Sequence, residues 1–411
     1  MDIIIKQARI IGSDNPYHNQ IKDIKIKNGF IIAIEDEIPQ EEGFRIITYP
    51  NLQVSEGWFD SSVCFAEPGF EERETIVHGL EVAQRSGFTA VALNPYTNPV
   101  VDNQALIQFV KQKSVGSSCT IYPIGALTKD SDTKNLAELY DMQNAGAVAF
   151  GDYKKSIANA NVLKLALQYV QDFNGLVIAF SQNKELKGAG IANEGVNATK
   201  LGMKGISNLS EEIEILRNLH LLEYTGGKLH LPTISTKESV AHIKAAKERG
   251  LQVTCSVAVH NLCLNDDVLI GFDTNYKVNP PIRTEEDRLA LIEGVQQGVI
   301  DMITSDHNPL DIELKKVEFD KAHDGVIGLE TAFGTLNKVL DITTIVDRFT
   351  QSKTIFGIER TPVEVGQKAN LTLFNSQERY VFTEECILSK SKNSPFIGAE
   401  LQGKVYEVIV G

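Results

Sequence analysis

The chain has 411 residues, with 40 Lys and Arg against 54 Asp and Glu, a net charge of −14. That balance argues against broad electrostatic attraction to phosphate backbones or anionic bilayers, so neither nucleic acid nor membrane is expected as a partner. The five cysteines are odd in number and never spaced Cys-x-x-Cys, which gives neither a disulfide framework nor a zinc-finger pattern. The start, Met1-Asp2-Ile3-Ile4-Ile5-Lys6, lacks the basic and long apolar segments of a secretion signal, and no apolar run approaches the roughly 18 residues of a membrane span, so a cytoplasmic protein is expected.

The first fifty residues alternate apolar and polar with period two, as in Asp23-Ile24-Lys25-Ile26-Lys27, with a turn at Asn28-Gly29. The same alternation returns only at Leu371-Thr372-Leu373-Phe374 and Val405-Tyr406-Glu407-Val408-Ile409-Val410. Neither end has strands enough for a stable sheet, so residues 1–53 and 350–411 are expected to join in one composite β-sandwich domain. Between them, over 54–349, eight short apolar runs alternate with helical patterns: Val54 to Ser62, Phe88 to Pro95, Thr120 to Leu127, Ala147 to Tyr153, Gly175 to Ser181, Lys228 to Thr236, Gln252 to Val259 and Asp301 to His307. Val162, Leu165, Ala166, Tyr169 and Val170 are spaced for one face of a helix, and Ser235 with Glu238 reads as a capping box. Eight β-α alternations in about 300 residues predict an α/β fold of the (β/α)8 TIM-barrel type.

In such a barrel the chemistry lies at the C-terminal ends of the strands. Those positions read Asp60-Ser61-Ser62-Val63-Cys64, Asn94-Pro95-Tyr96-Thr97, Gly151-Asp152-Tyr153-Lys154, Phe180-Ser181-Gln182, Thr233-Ile234-Ser235, His260-Asn261 and Ser305-Asp306-His307-Asn308. A two-metal hydrolase needs imidazoles and a bridging carboxylate to hold its ions and acidify a shared water. Here Asp152 and Asp306 stand in the right places, with only Cys64 and His260 as neighbours.

Across nearly its whole length the chain resembles the class I dihydroorotases of the amidohydrolase superfamily. The resemblance is carried by Asp60-Ser-Ser-Val-Cys-Phe-Ala-Glu-Pro-Gly69, Asn94-Pro-Tyr-Thr-Asn-Pro99, Asn193-Glu-Gly195, His230-Leu-Pro-Thr-Ile-Ser-Thr-Lys237, Lys277-Val-Asn-Pro-Pro-Ile-Arg283, Thr304-Ser-Asp-His-Asn-Pro309, Gly325-Val-Ile-Gly-Leu-Glu-Thr331 and Asn393-Ser-Pro-Phe396. It implies a metal-dependent barrel flanked by a small β-domain. The family opens its site with Asp-x-His-x-His-x-Arg-x-Pro, two metal ligands and a substrate clamp, and here those places hold Ser62, Cys64 and Ala66. The two further metal histidines fall at Phe180 and Thr233, the substrate-binding asparagine at Tyr96, and the histidine closing Asp-His-x-Pro-His at Leu310. What matches is Asp306, the family's general acid/base, Asp152 in the stretch of the bridging carboxylate, Asn279 on the substrate ring, and the loop at Gly325.

Hydrolysis of an unactivated cyclic amide relies on metal lowering the pKa of bound water from 15.7 to about 7, whereas general-base help alone is worth roughly 10²- to 10⁴-fold. The replacements therefore point to a pseudoenzyme with no metal and a vestigial Asp306. The alternatives are an active zinc-dependent cyclic amidohydrolase interconverting carbamoyl-aspartate and dihydroorotate, supported by overall resemblance, and a repurposed pocket made more aromatic by Tyr96 and Phe180. Some silent dihydroorotase-like chains in bacteria are companions of aspartate transcarbamoylase, so the resemblance also implies that partner, reached through a homodimer. Plainer readings attach to single residues. Asp60 and Asp306 can serve as buried acceptors of backbone amides, Cys64 as a small core residue and His230 as a satisfied core histidine; Lys154 is placed by strand alternation on the side of Asp152.

Overall fold

Alternation in the opening segment buries Ile3, Ile5, Ala8 and Ile10 on one face of the strand Ile3–Ile10, against Ile24, Ile26 and Ile31 of its neighbours. In the computed structural model, which describes residues 2–411, this strand belongs to a seven-stranded sheet drawn from both ends of the sequence. Its order is Glu400–Val410, Asn370–Val381, Gln53–Glu56, Ile3–Ile10, Ile21–Lys27 and Phe30–Glu35, with Arg45–Ile47 pairing on Ile3–Ile10. Asn28 and Gly29 take φ of 51° and 81°, the left-handed pair that a tight hairpin needs between Lys27 and Phe30.

Eight parallel strands make the barrel: Trp58–Val63, Phe88–Leu93, Thr120–Gly125, Ala149–Phe150, Val177–Ile178, Leu229–Leu231, Val253–Ala258 and Met302–Thr304, each beside its neighbour in chain order. At least one helix follows every strand, which is the (β/α)8 architecture. Closure between the last and first strands uses few ladder bonds. The amide of Cys64 donates to the His307 carbonyl at 2.8 Å, and the Asp60 carboxylate accepts from the amides of Ser305 (2.9 Å) and Ser62 (3.0 Å) and from the Thr304 hydroxyl. Asp60 has no solvent exposure, and burial raises its carboxyl against the lowering effect of those bonds.

Three local expectations need correction. The run Val54 to Ser62 is two strands, because the backbone passes from sheet to barrel at Gly57. A β-carbon there would lie 2.2 Å from both Asn370 Oδ1 and Thr89 Oγ1, so only glycine permits the crossing. The helix Ala160–Tyr169 buries Val162, Leu163, Ala166 and Leu167, while Leu165 and Tyr169 face outward at 46% and 44% exposure. Pairs at i and i+1 on this face are as compatible with helical periodicity as the i, i+3 pairs chosen from sequence. Finally, Thr236 caps Lys237–Glu248 by accepting from the Ser239 amide, while Ser235 gives its hydroxyl and amide to the buried Glu211 carboxylate and Glu238 is exposed.

The sheet and barrel meet on Trp58, which packs against Phe88, Phe333, Phe349 and Phe374 and donates its indole N–H to Ser55 at 3.0 Å. Next to it, buried Glu56 receives Lys353 at 2.8 Å and Arg360 at 3.0 Å, tying the segment after the last barrel helix to the junction. Replacing Asp60 with Ala strands two buried amides and a hydroxyl at the closure, and the expected cost is about 2–4 kcal/mol of unfolding free energy, read from urea denaturation. Asp60→Asn keeps an acceptor and is expected to cost less; equal stability of Asp60→Ala and wild type would show that closure does not depend on this carboxylate.

Candidate active site

The loops leaving the fourth and eighth barrel strands converge over the barrel axis. Lys154 and Asp306 both take left-handed backbone conformations, φ 53° and 50°, which turn their side chains toward each other. The Lys154 ammonium lies 2.7 Å from Asp306 Oδ2, and the Tyr153 hydroxyl donates to Oδ1 at 3.2 Å. Asp306 is 1% exposed, so this is a buried, charge-assisted triad. Burial and the Asp306 charge raise the Tyr153 phenol well above its usual range and push the Cys64 thiol up to about 12. Cys64 is accordingly a thiol, as its plain reading holds, with no thiolate character at neutral pH. His260, beside the same carboxylate, is depressed to about 4 by burial, and its Nε2 has no hydrogen-bond partner.

Beneath the triad is a narrow cavity of about 20 Å³, walled by Ser62, Asn94, Asp152, Phe180, His230 and Thr233 among others. That is room for about one water molecule. Ser62 accepts from the Asn94 amide at 2.9 Å, and Thr233, with φ 46°, donates its own amide to Ser256 Oγ at 3.1 Å. His230 shares its two nitrogens between Thr254 (3.0 Å) and Ser256 (3.2 Å), the satisfied core histidine of its plain reading. Asp152 is 3% exposed and turns away from Asp306, accepting from the backbone amide of Thr128 at 3.1 Å and from the Thr128 hydroxyl.

Alternation along the strand therefore misplaces Lys154. The turn at residues 153–154 separates it from Asp152 and delivers it to Asp306. Sequence reasoning also missed Tyr153; the signal available was an aromatic and a cation directly following the fourth strand, in a loop that family motifs did not cover. Asp306 accepts from side chains, where its plain reading had backbone amides. Of the other singled-out positions, Asn279 accepts through its side-chain carbonyl from the Gln182 amide at 2.8 Å, and Tyr96 sets its ring 5.4 Å from that of Tyr153. Neither Ala66, at φ 55°, nor Leu310, 2% exposed, lines this cavity. Gly325, at φ 150°, packs so closely that a β-carbon would sit 2.8 Å from Asn308 Nδ2.

These residues do not fit the zinc pair that the resemblance implies. A phenyl ring at 180 has no lone pair, Ser62 and Thr233 offer neutral hydroxyls, Cys64 is held as a thiol, Asp152 is committed to Thr128, and Asp306 already faces an ammonium. Among the described residues no three His, Cys, Asp or Glu side chains converge on one point.

The architecture as a whole is that of the amidohydrolase-type barrels. An L-hydantoinase from Arthrobacter aurescens superposes with a TM-score of 0.86 at 23% identity, covering 100% of this chain and 94% of its own. A dihydropyrimidinase from Brevibacillus agri follows at 0.84 and 19%, with the same coverage. Sequence narrows the class. The Dihydro-orotase-like family profile matches residues 53–239. Proteins named dihydroorotase from Geotalea daltonii, at 37% identity over 417 residues, and from a Thermoanaerobacter species, at 38% over 418, cover this whole chain and 98% and 96% of their own lengths. The chain belongs to the dihydroorotase family. No helix among the described residues is long and apolar enough to cross a membrane.

Burial also fixes a pH response. His230, His260 and His307 are depressed to about 3, about 4 and about 3, against about 6.5 in an unfolded chain. The unfolded chain thus binds more protons below 6.5, and stability present at neutral pH is lost as pH falls from about 6.5 toward 4, by up to about 1.4 kcal/mol per pH unit for each histidine. Burial raises Asp60 and Asp152, which acts in the opposite sense and offsets part of the loss at the acid end. The melting temperature is expected to fall steadily from pH 7 to pH 5, and His307→Gln to flatten that slope by about a third. A melting temperature unchanged across that range would contradict buried neutral imidazoles.

Proposed function

We propose that this member of the dihydroorotase family is catalytically silent, binds no zinc pair, and serves pyrimidine synthesis as a structural or regulatory partner of aspartate transcarbamoylase. The observation that carries the reading is the Lys154–Asp306 ion pair at 2.7 Å, with Cys64 beside it and Ser62, Phe180 and Thr233 lining the cavity next to Lys154. An ammonium next to the carboxylate repels a second cation at that point, and the surrounding groups do not supply the ligands that would offset the repulsion. Without metal-activated water, Asp306 would have to deprotonate ordinary solvent while already paired with the Lys154 ammonium.

A second reading has its own support. Relatives matching from end to end at 34–38% identity are named dihydroorotase, which favours an active enzyme converting carbamoyl-aspartate and dihydroorotate. Metal content separates the two readings. Protein produced with zinc in the medium is expected to carry less than about 0.1 zinc per chain by mass spectrometry and to show no turnover in either direction. One zinc or more per chain, or turnover abolished by Asp306→Asn, would favour the active enzyme. Restoring Ser62→His and Cys64→His is not expected to recruit zinc, because Phe180, Thr233 and Lys154 remain.

The partner role draws support from a scaffold that persists through Asn393-Ser-Pro-Phe396 while the chemistry beneath it is replaced. Co-expressed with the transcarbamoylase of the same organism, the chain is expected to elute with it by size-exclusion chromatography with light scattering, through a homodimer of this chain. Separate elution at micromolar concentration, with the transcarbamoylase fully active alone, would remove this role.

A further inference from the structure

The barrel helix Leu209–Thr225 is apolar on both sides. Its inner side buries Ile215, Leu219 and Leu222 in the core, the single stripe that a surface helix needs. Leu209, Ile213, Leu216 and Tyr224 form a second stripe on the outer side, and all four are exposed, Tyr224 at 77%. On one flank the helix Ala160–Tyr169 adds exposed Leu165 and Tyr169; on the other, Lys237–Glu248 presents the small exposed side chains of Ala241 and Ala245. The central helix has 17 residues and is about 25 Å long, and three helices about 10 Å apart make a face of about 25 by 25 Å, of the same order as the roughly 800 Å² that each partner of a stable complex buries. Apolar residues scattered singly are ordinary on a surface, whereas a continuous stripe marks an interaction site. Charge divides this face along its length. Glu212 and Glu238 stand together at its start, where burial, and then the charges of Glu211 and Glu238, raise the Glu212 carboxyl. Arg249 and His220 stand toward the far end, each 3.8 Å from Glu223. Eleven residues separate Glu238 from Arg249, so about 16 Å lies between the acidic and basic ends.

We propose that a second copy of this chain docks on this face across a two-fold axis passing close to Leu216, with the two Leu209–Thr225 helices antiparallel. A two-fold contact lays one surface on itself in reverse order. Leu216 then meets its own copy, Leu209 lies over Tyr224 of the partner subunit, and the acidic start, Glu212 with Glu238, faces Arg249 of the partner subunit. A parallel pair would instead put the two acidic starts at one end and both arginines at the other, so charge selects the antiparallel form. The inference deepens the homodimer of the proposed function and rests on that reading for two-fold assembly alone; neither zinc nor the transcarbamoylase enters it.

Sedimentation equilibrium of the full chain tests it, with circular dichroism to confirm that each variant is folded. The wild type is expected to have twice the chain mass at about 20 μM, and Ile213→Glu and Leu216→Glu, both at exposed positions, to weaken the dimer at least about tenfold by burying an unpaired charge. Glu238→Arg and Arg249→Glu are each expected to weaken it several-fold, and the double variant to recover most of the loss, because about 16 Å within one chain leaves only the contact between chains to restore. In a chain freed of its exposed cysteine by Cys386→Ser, Leu216→Cys is expected to oxidise to a covalent dimer, whereas Val77→Cys, exposed on the helix Ile76–Arg85, is not. A dimer of unchanged affinity in both glutamate variants overturns the proposal and leaves the homodimer standing on another face. A wild-type monomer at about 100 μM defeats the homodimer as well, while co-elution with the transcarbamoylase and zinc content decide the rest of the functional reading independently.

Discussion

A carboxylate with no solvent around it holds the barrel shut. Asp60, within the first strand, accepts from Thr304 and Ser305 at the end of the eighth, where ladder bonds between the two are few. Everything that converges over the axis depends on that closure, because Ser62 and Cys64 follow Asp60 directly and Asp306 follows Ser305. A shift of one residue at this joint would move Asp306 away from Lys154 and leave both charges buried and unpaired, a larger penalty than the loss of any single hydrogen bond. The requirement for a closed barrel is thus enough to explain why this aspartate is present, whatever the site above it holds.

At the centre of the barrel the charges balance one another within the chain. In the family pattern, two ions balance a set of imidazoles and carboxylates. Here Lys154 supplies one fixed positive charge, Asp306 one negative, and a phenol and a thiol, both pushed toward their neutral forms, fill the remaining contacts. Phe180 removes a polar group that would otherwise need a partner. The result is a low-dielectric plug with nearly balanced charge.

Much of this could be read from the residues. Period-two alternation at both ends and eight β-α repeats between them predicted the architecture, since burial on one face dictates both patterns. Errors arose where a single residue overrode periodicity. Gly57 bends one apolar run into two strands, and at the helix after the fourth strand the choice between Leu165 and Leu163 depends on the direction from which the barrel approaches. Motif spacing placed Asp306 and the substitutions at Ser62, Cys64, Phe180 and Thr233 at one end of the barrel. It could not foresee that Lys154 would reach Asp306, because that contact follows from positive φ at both residues, and neither is a glycine that would advertise it. The orientation of Asp152 toward Thr128 was equally hidden: a carboxylate looks the same in sequence whether its oxygens face a metal or a backbone amide.

The order of strands in the terminal sheet bears on how the protein is made. Val54 pairs with Leu373, and Ser55 with Thr372, so the strand leading into the barrel lacks one neighbour until roughly 320 further residues have been synthesised, at 5–20 residues per second a wait of about 15 to 60 seconds. During that interval Gln53–Glu56 presents an unpaired edge, and Trp58 lacks the faces of Phe333, Phe349 and Phe374. The strand that leads into the barrel is thus completed late, by a segment synthesised after the whole barrel, and until then its edge has the unpaired backbone groups that favour pairing with another strand.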